Sequence, residues 1–212
     1  MRGTGRLEAF SDGVLAIIIT IMVLELRVPH GATLAALRPL VPVFLAYVLS
    51  FVYLGIYWNN HHHMLHMTDR VTGGILWANL HLLFWLSLVP FVTAWMGENE
   101  FASVPTAVYG VVLLMAGVAY LILQSAIIAD QGERSPLADA VGGDFKGKLS
   151  AAFYVLAIPS ALFVTPWLAG AFYVTVALVW LVPDRRLERA EARIEERDAS
   201  RHRELARERD RE

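Results

Sequence analysis

The side chains able to handle charge inside this chain's apolar stretches are few, and the first of them lie at its start. Arg6, Ser11 and Asp12, with Phe10 between them, precede twelve uncharged residues that run up to Glu25, and Thr20 is the only polar side chain among those twelve. As an α-helix twelve residues cover roughly 18 Å, whereas the hydrocarbon core of a bilayer is about 30 Å thick. Asp12 and Glu25 cannot both reach the headgroups, and an ionised group at membrane depth must face protein or water. The opening helix is therefore expected inside a bundle. Arg6 and Asp12 stand six residues apart, about 240° around a helix, so they do not pair with each other. Each needs a partner from another segment, because buried charges are paired or hydrogen-bonded. For Asp12 the candidates are Trp58, Asn60, His61 and His62, and deeper in the chain Asn79 or His81. The chemistry this implies is a clamp on the first helix. The rival is a carboxylate that attracts cations at the inner mouth of a pathway.

A second set is apolar. Ile17, Ile21 and Leu24 follow i, i+4, i+7 and lie along one stripe, with Thr20 beside it. Copies of this helix around an axis would stack rings of isoleucine, isoleucine and leucine with a hydroxyl ring close by. Such rings can strip an ion of water or dewet. The same stripe equally suits plain packing against neighbouring helices, and periodicity alone does not choose. In the run His61-His62-His63-Met64-Leu65-His66, His62 and His66 have a metal-chelating spacing. No cysteine and no carboxylate besides Asp69 is near to complete a site, so no metal is expected there. Histidines hydrogen-bonded at the membrane interface, with a pH effect on the clamp, are the reading. Thr106-Ala-Val-Tyr109-Gly110 imitates a carbonyl filter but lies in a continuous apolar run rather than an irregular loop.

The elements that must hold these residues follow from composition. The chain has 212 residues, 56% of them hydrophobic, with a mean hydropathy of +0.48. Residues 184–212 carry ten arginines and ten acidic residues, leaving eight basic and ten acidic residues for the first 183. This predicts an all-α integral membrane domain over 1–183 and a charged cytoplasmic tail, helical by composition, over 184–212. Six spanning helices are expected, near 5–28, 36–64, 71–96, 102–129, 148–164 and 166–183, the last two joined tightly as a hairpin by Thr165-Pro166. Arg2, Arg6, Arg70, Arg134, Lys146, Lys148 and the tail arginines then share one side, against Arg27 and Arg38 on the other, so both termini are expected in the cytoplasm. Without cysteine there are no disulfides, and a net charge of −2 gives no reason to expect nucleic acid.

The sequence Arg6-x-x-x-Phe10-Ser11-Asp12 at the start of the first span resembles the R-x-x-x-F-S-D signature of bacterial members of the endolysosomal potassium channel family. Trp58-x-x-His61-His62 and Pro90-Phe91-x-Thr93 are similar to patterns of the same family, and six spans in about 200 residues match its single-repeat bacterial form. The resemblance implies a homotetramer in the bacterial cytoplasmic membrane, with the first helix of each subunit lining a central pore. It implies that Ile17 forms the main hydrophobic constriction, that Ile21 and Leu24 extend it, and that Thr20 matches a threonine ring of some members. The expected activity is passive, potassium-preferring cation conduction with no catalysis and no cofactor beyond the permeating ion. The alternatives are a proton- or cation-coupled secondary transporter using Asp12, Glu25 or the histidines, and a membrane haem protein with axial histidines.

Overall fold

The structure, a computed structural model, describes residues 4–68, 70–132, 135, 137, 138, 142 and 145–181. The charged tail over 184–212 and the turn residue Asp69 lie outside the described residues, as do parts of the 133–144 loop. The described elements are helices α1 (Thr4–Leu24), α2 (Val41–His66), α3 (Gly73–Ser87), α4 (Val89–Glu98), α5 (Ser103–Gln131), α6 (Phe145–Phe163) and α7 (Pro166–Leu181), with a 3-10 segment at Leu34–Leu40 leading into α2.

Local chemistry sets these boundaries. Pro42 opens α2, where its missing N–H costs nothing. Thr72 caps α3, its hydroxyl accepting from the Ile75 amide at 3.4 Å. The expected span over 71–96 is one apolar stretch, 73–98, interrupted between α3 and α4. Pro90 has no amide hydrogen to give to the Leu86 carbonyl, and the interruption falls at Leu88. The first helix also ends earlier than expected, at Leu24, with a turn closed by the Leu26 amide on the Val23 carbonyl at 3.2 Å. Glu25 and Arg27 thus stand beyond its end.

Among the described residues four stretches are long and apolar enough to cross a bilayer: 4–24, 34–66, 73–98 and 103–131. Two ion pairs mark the opposite ends of the bundle. Arg70, after α2, donates to both carboxylate oxygens of Asp130 at 2.7 and 3.0 Å, tying the α2–α3 turn to the end of α5. At the other end the Arg27 guanidinium meets Glu98 at 2.9 Å. The α6–α7 hairpin packs against α5, and α1 lies against α2, α3 and α4.

Helices in lipid gain little from burying apolar surface against one another, so close approach and interhelical hydrogen bonds hold them together. A Cβ added at Gly97 would stand 2.7 Å from the Val43 Cα, which shows how tightly α4 meets α2. Inside the bundle the Ser50 hydroxyl is 2.7 Å from that of Thr93 and 3.0 Å from that of Tyr109, joining α2, α4 and α5. Tyr53 donates to the Tyr173 carbonyl at 2.7 Å, and Tyr173 donates to the Thr106 carbonyl at 2.9 Å. Thr106-Ala-Val-Tyr109-Gly110 lies within regular helix, with Thr106, Ala107, Tyr109 and Gly110 buried. A Cβ at Gly110 would overlap the Tyr173 hydroxyl. Gly110→Ala is expected to expel that ring and cost about 2–3 kcal/mol, as overpacking of a close contact does. A thermal melt of the detergent-solubilised protein checks it, since an unchanged midpoint would mean that α7 does not lean on α5 there.

Candidate functional site

Helix α1 has two faces. Leu7, Ser11, Leu15, Ile18 and Met22 are buried against the rest of the chain. Phe10, Ile17, Thr20, Ile21 and Leu24 are exposed, and Leu24 is 80% accessible. Spacings of three and four residues generate both stripes, so the helix is apolar on both sides. Among the described residues, the side bearing Ser11 is the one buried within the chain. Ile17, Ile21 and Leu24 thus share an outward stripe. The Thr20 hydroxyl donates to the Ile17 carbonyl at 2.9 Å, which spends its hydrogen on the helix and leaves oxygen lone pairs for something outside. Val14, Ile17 and Ile21 also edge a groove whose far wall is Ser87, Pro90, Phe91 and Ala94, with Glu25 at one end.

The beginning of α1 is tied to α2 and α3 by three polar contacts. Trp58 Nε1 donates to Asp12 Oδ1 at 3.0 Å. One turn away on both helices, Glu8 Oε1 lies 2.9 Å from His62 Nδ1. The helices run antiparallel, so carboxylates four residues apart on α1 meet rings four residues apart on α2. The third contact is buried. Asn79 Nδ2 donates to the Ser11 hydroxyl at 3.0 Å, and the Asn79 carbonyl oxygen sits 2.7 Å from His61 Nε2. Ser11 passes its own hydrogen to the Leu7 carbonyl at 2.8 Å. Because Asn79 uses its amide on Ser11, its oxygen must accept, and His61 therefore carries its proton on Nε2. His61 Nδ1 is then a buried nitrogen without a partner among the described residues.

The residues singled out from the sequence divide accordingly. Ser11, Asp12, Trp58, His61, His62 and Asn79 are brought together. Among Asp12's candidates the structure selects Trp58, with the histidines serving Glu8 and Asn79 instead. Arg6 and Phe10 are not part of the tie; both are exposed on the outward side of α1. His62 stacks between Trp58 and His66, with ring centroids 6.1 and 5.8 Å away, extending the ladder along α2. Glu8 was missed by the sequence reading, although its place four residues before Asp12 puts both carboxylates on one face. Nothing in periodicity alone revealed the Ser50–Thr93–Tyr109 contact, for which only Thr93 of the Pro90-Phe91-x-Thr93 pattern gave a sign.

A multi-pass, all-helical membrane protein with its first helix clamped at one end and bare along one side is what these features define. The family model described as the endosomal/lysosomal potassium channel TMEM175 matches residues 6–90, the part of the chain that contains the clamp. A protein of Chryseobacterium sp. (strain P1-3) named as a potassium channel is 57% identical over 186 residues, 88% of this chain and 96% of that one. Another so named, from Streptomyces collinus, is 38% identical over 128 residues, 57% of this chain and 62% of its own length. Among solved structures, the crystal structure of a lysosomal potassium-selective channel TMEM175 homolog from Chamaesiphon minutus shares the fold with a TM-score of 0.76. It has 29% sequence identity over 87% of this chain and 99% of that one. The chain belongs to the TMEM175 family.

Proposed function

We propose that the chain is one subunit of a potassium channel of the bacterial cytoplasmic membrane, assembled as a homotetramer with α1 of each subunit around a central pathway. The observation that carries the reading is the likeness, over nearly the whole of both chains, to a relative named as a potassium channel. The outward stripe of α1 supports the pore. Ile17, Ile21 and Leu24 would form the hydrophobic constriction, and Thr20 would offer its free lone pairs to a partly dehydrated cation. Asp12 belongs to the clamp in this reading, since its carboxylate already accepts from Trp58. Conduction is passive, through six spans per subunit with α6 and α7 as the last two, and both termini are cytoplasmic.

The test is ion flux from liposomes together with the mass of the solubilised complex. The expected result is potassium flux that dissipates a gradient, exceeds sodium flux and shows no coupling to a pH gradient. The protein part of the complex should weigh four times the 23.6 kDa chain. A monomeric mass removes the pore axis, and flux driven by a pH gradient makes the protein a coupled transporter instead.

A further inference from the structure

The clamp holds α1 at its beginning, and charge gathers beyond its other end. Helix α1 closes at Leu24, and the chain continues through Glu25 and Arg27, both exposed. The same end of the bundle carries His30, Arg38 ahead of α2, and Glu98 and Glu100 at the close of α4, all exposed. The turn between α6 and α7 adds no charge. Among the described residues this end therefore sets three carboxylates against two guanidinium groups, with His30 neutral, and is net negative.

The arrangement of these charges is not even. Arg27 does not pair with Glu25, two residues back; its guanidinium reaches to 2.9 Å from Glu98 Oε1. Glu98 is the last residue of α4, where the unsatisfied carbonyls of the helix disfavour a carboxylate, and α4 has no basic residue of its own in that turn. Arg27 answers that need. The pair is exposed and adds little stability, so its consequence is where the positive charge sits. Glu25, by contrast, has no hydrogen bond or ion pair among the described residues. It stands four residues after Ile21 and lines the same groove as Ile17 and Ile21.

We propose that Glu98 is a positioning residue that holds Arg27 over the end of α4, leaving Glu25 to gather cations where the outward stripe of α1 opens to water. That role rests on α1 lining the pathway proposed above. A carboxylate from each subunit at such a mouth raises the local cation concentration, whereas freed guanidinium groups there lower it.

Potassium flux into liposomes tests this, at one fixed potassium concentration with ionic strength set by impermeant N-methylglucamine chloride. Charges act over about 30 Å at about 10 mM ionic strength and over about 3 Å at about 1 M. Glu25→Gln should cut flux roughly tenfold at the lower value and match the native chain at the higher. Glu98→Gln and Glu100→Gln each remove one negative charge from this end, but the first also frees Arg27. It should therefore lose more flux at low ionic strength. Arg27→Gln combined with Glu98→Gln removes the pair at constant net charge and should conduct like the native chain. Native flux in Glu25→Gln at low ionic strength, or a loss that persists at high, overturns the role of Glu25. Equal losses in Glu98→Gln and Glu100→Gln overturn the holding of Arg27. Ile17→Asn in the same liposomes separates the causes of failure. Raised flux there with no response to Glu25→Gln overturns the charged mouth alone, whereas no response to either removes α1 from the pathway.

Discussion

Replacing Ile17 by asparagine is expected to raise cation flux through reconstituted protein about tenfold and to erase most of the preference for potassium over sodium. The side chain is 59% accessible in this chain and midway along the outward stripe of α1. Four such isoleucines around an axis would leave a passing ion without hydration partners, and an apolar ring of that kind is a barrier by dewetting. An amide in each subunit supplies both donors and acceptors, so water stays and the barrier falls. A drop of about 1.4 kcal/mol corresponds to the tenfold rise. Discrimination falls with it, because a hydrated passage no longer charges each ion for the water it sheds. Liposome flux with potassium and sodium gradients measures both quantities, and Val155→Asn on α6 serves as a control. Val155 is similarly exposed, at 56%, on the hairpin that packs against α5, whereas α1 packs against α2, α3 and α4. If Ile17→Asn leaves rate and ion ratio as they were, α1 does not line the pathway.

What could be read from the sequence, and what could not, follows from the range of each physical signal. That α1 packs one polar-bearing face against the rest of the chain was legible because the signal rests on one chain segment. Twelve uncharged residues between two carboxylates are too few to cross a bilayer, and that arithmetic needs no tertiary structure. The clamp was legible in its membership and not in its pairing. Asp12, Trp58, His61, His62 and Asn79 could be grouped by their end of the helices, but which nitrogen meets which oxygen depends on how far α2 slides along α1. A shift of one turn exchanges Trp58 for His62 opposite Asp12, and no sequence period distinguishes the two registers. The break at Leu88 illustrates a different limit. Pro90 announces a lost hydrogen bond, yet whether the chain bends or merely skips one bond is decided by what packs around it. In the chain itself, the two apolar stripes of α1 look alike. Ser11 on one of them is the feature that tells the subunit-facing side from the free side, and its significance emerges only once Asn79 is placed beside it.

Asn79→Ala is expected to be the most destabilising single change at the clamp, at about 2–4 kcal/mol. An interhelical hydrogen bond in a membrane protein is commonly worth well under 1 kcal/mol, so two lost bonds alone would not reach that figure. The larger effect comes from what remains behind. His61 is 1% accessible and Ser11 is fully buried, and Asn79 answers to both. Truncation would leave the His61 Nε2–H without an acceptor on a ring whose Nδ1 already has no partner among the described residues, and would strip the Ser11 oxygen of its donor. A buried polar group orphaned in this way costs about 1–3 kcal/mol. The comparison variant is Arg27→Ala, which removes an ion pair of similar length, 2.9 Å, whose side chains are 80% and 47% accessible. An exposed pair of that kind contributes about 1 kcal/mol or less. Thermal melts of both variants in one detergent should therefore separate by several degrees, with Asn79→Ala the lower. The triple change Ser11→Ala, Asn79→Leu and His61→Leu should recover part of the loss, because no polar group is then left unpaired. Were Asn79→Ala to melt with Arg27→Ala, the buried contact would not be what holds α1. The outward stripe would then owe its direction to apolar packing alone.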